Sequence, residues 1–116
     1  MSSVRWLAGL FLLAHGLLHF AIWGPPKPKD VPFDAHHSPM FGDIRAAATI
    51  LAVLAGAAFV VSGIAYLSGQ DWWAPLALVA SGVSIVLLLV TFTPWWLFGL
   101  AINAVIAVLA WRAVQR

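Results

Sequence analysis

Six Lys or Arg and four Asp are all the charge that this 116-residue chain carries, and their positions leave three long runs with none. The charged residues are Arg5, Lys27, Lys29, Asp30, Asp34, Asp43, Arg45, Asp71, Arg112 and Arg116. Between them, residues 6–26, 46–70 and 72–111 are uncharged. A bilayer core about 30 Å thick is crossed by a helix of roughly 20 residues. The first two runs therefore hold one span each. The third holds two, because Thr93-Pro94 near its middle suits an N-cap followed by a first helical position. The predicted spans are 6–23, 46–67, 72–92 and 95–111, with a long polar loop over 24–45. The expected fold is all-α, a single four-transmembrane-helix antiparallel bundle.

The seven tryptophans agree with this division, although they played no part in drawing it. Trp6, Trp23, Trp72, Trp73, Trp95, Trp96 and Trp111 all fall at span ends, where an amphipathic indole meets both hydrocarbon and water. Composition closes off the other fold classes. At 63% hydrophobic and 9% charged, the chain has more apolar surface than a soluble globule of its size can hide. A net charge of +2, dispersed along the chain, forms no phosphate-binding stripe, so nucleic acid is not a partner. The absence of cysteine excludes disulfides and thiolate metal sites.

The first span follows Arg5 as a signal peptide would, but it is longer than a usual signal core and ends in Trp23-Gly24-Pro25-Pro26. It is expected to be a permanent helix. Four spans put both termini on one side. Lys and Arg are shared equally between the two sides. The termini are assigned to the cytoplasm, in a cell (cytoplasmic) membrane, and the stiff Pro-Pro-Lys-Pro-Lys loop start lies outside.

Lipid tails are as apolar as leucine, so small residues rather than hydrophobicity pack such helices together. Ala48, Ala52 and Gly56, the seven-spaced pairs Gly9/Gly16 and Gly56/Gly63, and Gly99, Asn103 and Ala107 are the expected contact ridges. Polar groups in hydrocarbon face the bundle interior. Near mid-membrane these are His15, Ser81, Ser84 and Asn103, with His19 one turn beyond His15 toward the long loop. Every histidine is thus at the midplane or on the loop side, the latter group including His36 and His37.

The plainest reading of His15 is an interhelical hydrogen bond to Asn103 or Ser84, and that of His19 an interfacial ring held by loop carbonyls. His36 and His37 read as solvated loop residues. Asp43 is expected at the N-cap or first turn of the second span, with Asp43–Arg45 as an alternative ion-pair gate. The functional reading is a pocket between helices 1, 3 and 4 near the long-loop face. In it His15 and His19 are the catalytic or proton-passing groups, and Asn103, Ser84, Trp23 and Arg45 are the ligand-binding ones. Few convergent polar groups within apolar walls suit a quinone. A metal held by an i, i+4 histidine pair fits less well, having no carboxylate or thiolate to complete it. Haem also fits less well, since its axial ligands approach from opposite faces.

Arg5, Gly9, Phe11, His15 and Gly16 resemble the opening helix of the DoxX-like family of small four-helix membrane proteins. In that family a basic residue follows the His-Gly pair, and here His19 stands in that place. Total length, four spans and a long first loop are also similar. The resemblance implies membership of a membrane oxidoreductase assembly, with quinone reduction among its members. Two other readings stand beside it: a non-enzymatic assembly or scaffold subunit, and a small dimeric solute transporter. Small multidrug-resistance transporters have a similar length, but they couple through an intramembrane Glu and this chain has none. The expected partners are the lipid bilayer and either further copies of the chain or other membrane subunits.

Overall fold

The computed structural model describes residues 3–24 and 35–115. Lys27, Lys29, Asp30, Asp34, Arg116 and the Pro-rich loop start lie outside them. Helix α1 spans Ser3–Trp23, α2 Arg45–Leu67, α3 Trp73–Val90 and α4 Leu97–Val114. These helices have 18 to 23 residues, or about 27–35 Å of rise. A single turn of 3₁₀-helix, Pro94–Trp96, leads into α4. The four packed helices are long and apolar enough to cross a membrane. The long axis of the molecule, 43 Å, is close to the thickness of a bilayer with its headgroups. The chain is a multi-pass membrane bundle in which α1 packs on α2, α2 on α3 and α3 on α4.

Helix α1 buries Gly9, Leu12, Gly16, His19 and Trp23, alternating steps of three and four along one face. Its glycines meet those of α2. A Cβ on Gly16 would lie 2.8 Å from the carbonyl oxygen of Gly56, and one on Gly56 would lie 2.9 Å from that of Gly16. Lower down, a Cβ on Gly63 would approach the Gly9 carbonyl at 3.2 Å, and one on Gly9 would run into Leu67. Backbone replaces side chain at this seam, as expected where small residues pack helices in lipid. Ala48, Ala52, Ala55 and Phe59 complete the buried face of α2.

The connections are tight. At the end of α2, Gly69 takes φ +77°. Its N–H donates to the Tyr66 carbonyl and that of Gln70 to Ala65, the paired bonds of a Schellman cap. Ser62 Oγ donates to the Trp73 carbonyl at 2.9 Å and ties α2 to the start of α3. At the other turn Pro94 opens the 3₁₀ segment with extended Thr93 before it, as predicted, but the Thr93 side chain makes no capping bond. Asp43 sits one residue before the position expected of it. Ile44 is the N-cap of α2, and the Asp43 carboxylate accepts the Arg45 backbone N–H at 3.1 Å. Among the described residues no ion pair joins Asp43 to Arg45, so the gate is not formed.

The described end of the long loop, residues 35–43, folds back onto the bundle. His37–Ser38 pairs antiparallel with Gly42–Asp43, and Ser38 Oγ accepts the N–H groups of Met40 and Phe41 within that hairpin. His36 is only 4% exposed. Its Nε2–H donates to the Trp23 carbonyl at 2.8 Å, which corrects the expectation of a solvated residue; the exposed His37 meets it. Two tryptophans also depart from the interfacial pattern. Trp23 and Trp96 are 2% and 6% exposed, with ring centroids 5.3 Å apart. They point inward because carbonyls satisfy their N–H groups there. Trp23 donates to Ala35 and Trp96 to Thr91, each at 2.9 Å.

Candidate functional site

Four polar residues of the apolar spans gather in one place. His15 and His19 share a face of α1, Ser84 projects from α3 and Asn103 from α4, and all four are buried. His15 Nε2 lies 2.9 Å from Asn103 Oδ1, Asn103 Nδ2 lies 2.9 Å from Ser84 Oγ, and Ser84 Oγ lies 2.8 Å from His19 Nε2. His19 Nδ1 closes the ring 2.9 Å from the His15 carbonyl. Phe59 packs against both imidazoles, at centroid distances of 4.7 and 5.5 Å. Trp23 stacks on His19 and Phe11 lies parallel to His15.

The protons of this ring follow from a single atom. The His15 carbonyl oxygen can only accept, so His19 Nδ1 carries a proton. In a neutral His19 the Nε2 atom is then bare, and Ser84 O–H donates to it. The serine oxygen accepts from the Asn103 amide N–H. The amide oxygen faces the other way and accepts from His15 Nε2–H. His15 is left with an unprotonated Nδ1, and that atom makes no hydrogen bond. Turning the Asn103 amide over would force His19 to donate from both nitrogens. The resulting imidazolium would be buried in spans that hold no carboxylate, a costly arrangement. The ring therefore has one neutral solution, in which the two histidines hold opposite tautomers.

Toward the loop this cluster is closed. Trp23, Trp96, Leu87, Leu88 and Ala35 form a continuous buried group where the sequence led us to expect a pocket. The open space is on the terminal side. A cavity of about 310 Å³ lies between α1 and α4, walled by Phe11 and Leu12 from α1, by Val105, Ile106 and Leu109 from α4, and by Tyr66 and Trp73. Phe11 and Leu12 are one turn from His15, and Ile106 is one turn from Asn103, so the cavity begins one turn beyond that pair, which does not itself line it. A second apolar recess of about 220 Å³ shares Phe11, Val105 and Ile106 with it. A polar cleft bearing Arg5, Gln70 and Asp71 meets it at Tyr66, Trp73 and Ala113.

Arg5 faces inward across that cleft. Its Nη2 donates to the Tyr66 carbonyl at 2.9 Å, and its guanidinium lies 5.0 Å over the Tyr66 ring, so it ties α1 to the C-terminus of α2.

Of the six residues singled out, the structure brings together His15, His19, Ser84 and Asn103, with Trp23 stacked on their loop side. Arg45 is exposed at the start of α2 and does not join them. Sequence reasoning did not single out Phe11, Tyr66 or Trp73 as cavity walls: Tyr66 and Trp73 read as interfacial aromatics at span ends, and Phe11 as one more apolar residue within the first span. Ser81 Oγ is buried without a partner among the described residues. No three His, Cys, Asp or Glu side chains among the described residues come within reach of one ion. No protein-family model, curated protein or solved structure matches this chain.

Proposed function

We propose that the chain is a quinone-binding subunit of a membrane redox assembly, its ring-shaped ligand held between α1 and α4. The observation that carries this reading is the 310 Å³ apolar cavity beginning one turn below the His15–Asn103 pair. Binding sites for small amphipathic molecules have this character: apolar walls and a few fixed polar atoms that orient the ligand. Phe11 and Trp73 offer faces for a flat ring. The second recess, sharing Phe11, Val105 and Ile106, offers a path for an apolar tail toward the acyl chains. His15 is the residue that meets the ligand's oxygen. His19, Ser84 and Asn103 fix its proton. The electron carrier belongs to another membrane subunit, and the termini face the cytoplasm. The DoxX-like character of the first helix points the same way.

Calorimetric titration of the protein in lipid nanodiscs with a short-chain benzoquinone and benzoquinol tests the reading. Saturable binding of one ligand per chain is expected, above the partition measured in protein-free discs. Ala8→Phe, which fills the cavity from α1, is expected to abolish it while leaving the helices folded. Binding that Ala8→Phe leaves intact, or no binding beyond partition, overturns the reading and leaves a packing or scaffold role.

A further inference from the structure

We propose that this site selects its ligand by a hydroxyl group, taking the reduced, phenolic member of a quinol–quinone pair with the ligand O–H donating to Nδ1 of His15. The inference rests on the quinone-type occupant proposed for the cavity, and it adds which form is recognised and why. Three observations carry it. First, His15 is 7% exposed, so it is more than nine-tenths buried, yet its Nδ1 has no protein partner. That atom is not among the fully enclosed unpartnered polar atoms of the described residues, so it keeps some accessible surface. An acceptor with no donor in an apolar slab is costly, and a ligand hydroxyl supplies the donor.

Second, the hydrogen-bond ring fixes the chemistry of that atom from a distance. His19 Nδ1–H is committed to the His15 carbonyl, which orders Ser84, then Asn103, then the proton on His15 Nε2. A neutral His15 therefore presents a lone pair and no proton at Nδ1. A quinone carbonyl also presents a lone pair, so the two repel. It could be bound only by an imidazolium, in spans without a carboxylate. A phenolic hydroxyl matches the lone pair. Ser84, Asn103 and His19 are positioning residues in this scheme, since they act on the ligand only through the tautomer of His15.

Third, the ring and the cavity share a wall. Phe11 lies parallel to the imidazole of His15, with centroids 6.1 Å apart, and it lines the cavity.

Two measurements test this. The first compares a benzoquinol, its dimethyl ether and the matching benzoquinone, all with one short alkyl tail, under anaerobic conditions in nanodiscs. The quinol is expected to bind at least about tenfold tighter than the other two, the value of one good hydrogen bond. His15→Leu is expected to level the three affinities. The second is the nitrogen spectrum of protein labelled with ¹⁵N-histidine, read without ligand and without mutation. It should show His15 bare at Nδ1 and His19 bare at Nε2. Equal affinities, a tighter quinone, or a protonated Nδ1 on His15 overturns hydroxyl selection while the cavity reading stands. Saturable binding by none of the three removes the quinone-type occupant, and this inference falls with it.

Discussion

Toward α2, helix α1 meets its neighbour backbone to backbone; toward α4, it reaches across by a single imidazole. The first seam is made of Gly16 and Gly56, whose carbonyls occupy the space a Cβ would need. The second is made of His15 Nε2–H and Asn103 Oδ1 at 2.9 Å, with a cavity below. Both join one helix to a neighbour inside the same apolar slab. In lipid, hydrophobicity does not distinguish them; shape and hydrogen bonding do. Glycine brings axes together and leaves no room. A long polar side chain holds axes apart and leaves room beside it. The α1/α2 seam is thus the structural joint of this bundle and the α1/α4 seam is where open volume remains.

The largest effect that would break this contrast is expected at the glycines. Gly16→Ala places a methyl group 2.8 Å from the Gly56 carbonyl and 2.9 Å from Phe59 and Val60, and the backbone oxygen cannot swing away. The expected cost is about 2–3 kcal/mol, read from reversible unfolding in mixed micelles. Gly82 is the matched control, because nothing lies within 4 Å of its Cβ. Gly82→Ala should leave stability unchanged or raise it. If the two substitutions cost the same, close approach is not what holds α1 to α2.

Asn103→Leu comes next and tests the other seam. It removes both bonds that Asn103 makes, leaving His15 Nε2–H and Ser84 with fewer partners. Interhelical bonds in membranes average about 0.6 kcal/mol and reach about 1.7, so the expected loss is about 1–2 kcal/mol. The histidine tautomers should also lose their order in the ¹⁵N spectrum. A large loss of stability with the tautomers unchanged would show that Asn103 supports the fold and not the proton arrangement.

How much of this contrast the sequence displays depends on the residue. The spans are legible from charge together with the Thr93-Pro94 break, because a charged side chain is expensive in hydrocarbon wherever it points and a proline suits a helix's first turn. The glycine ridges are legible from spacing, because a helix repeats its faces. His15 and Asn103 are legible as a pair, because few polar residues occupy the same depth. The location of the cavity is not. It depends on which side of the cluster the aromatic residues fill, and Trp23, Trp73 and Trp96 look alike in a sequence that places each at a span end. Trp23 and Trp96 turned inward because the carbonyls of Ala35 and Thr91 were there to accept their N–H groups. The return of residues 35–36 onto the bundle supplied one of these acceptors, and no local pattern announces that return. The burial of His36 has the same origin.

The smallest expected effect comes from two serines on α3 that the sequence presents as equals. Ser84 Oγ links Asn103 to His19, whereas Ser81 Oγ is buried with no partner among the described residues. Ser84→Ala breaks the ring at its middle and should cost about 0.6–1 kcal/mol. It should also weaken quinol binding, because His15 is no longer held as an acceptor at Nδ1. Ser81→Ala removes a desolvated hydroxyl that makes no bond and should be neutral or stabilising by up to about 1 kcal/mol, with quinol affinity unchanged. The pair share depth, helix and chemistry, so their difference isolates the ring from the general cost of a buried hydroxyl. If Ser81→Ala proved the more damaging to quinol affinity, the ligand's polar end would belong beside Ser81, and the assignment of that end to His15 would have to be given up.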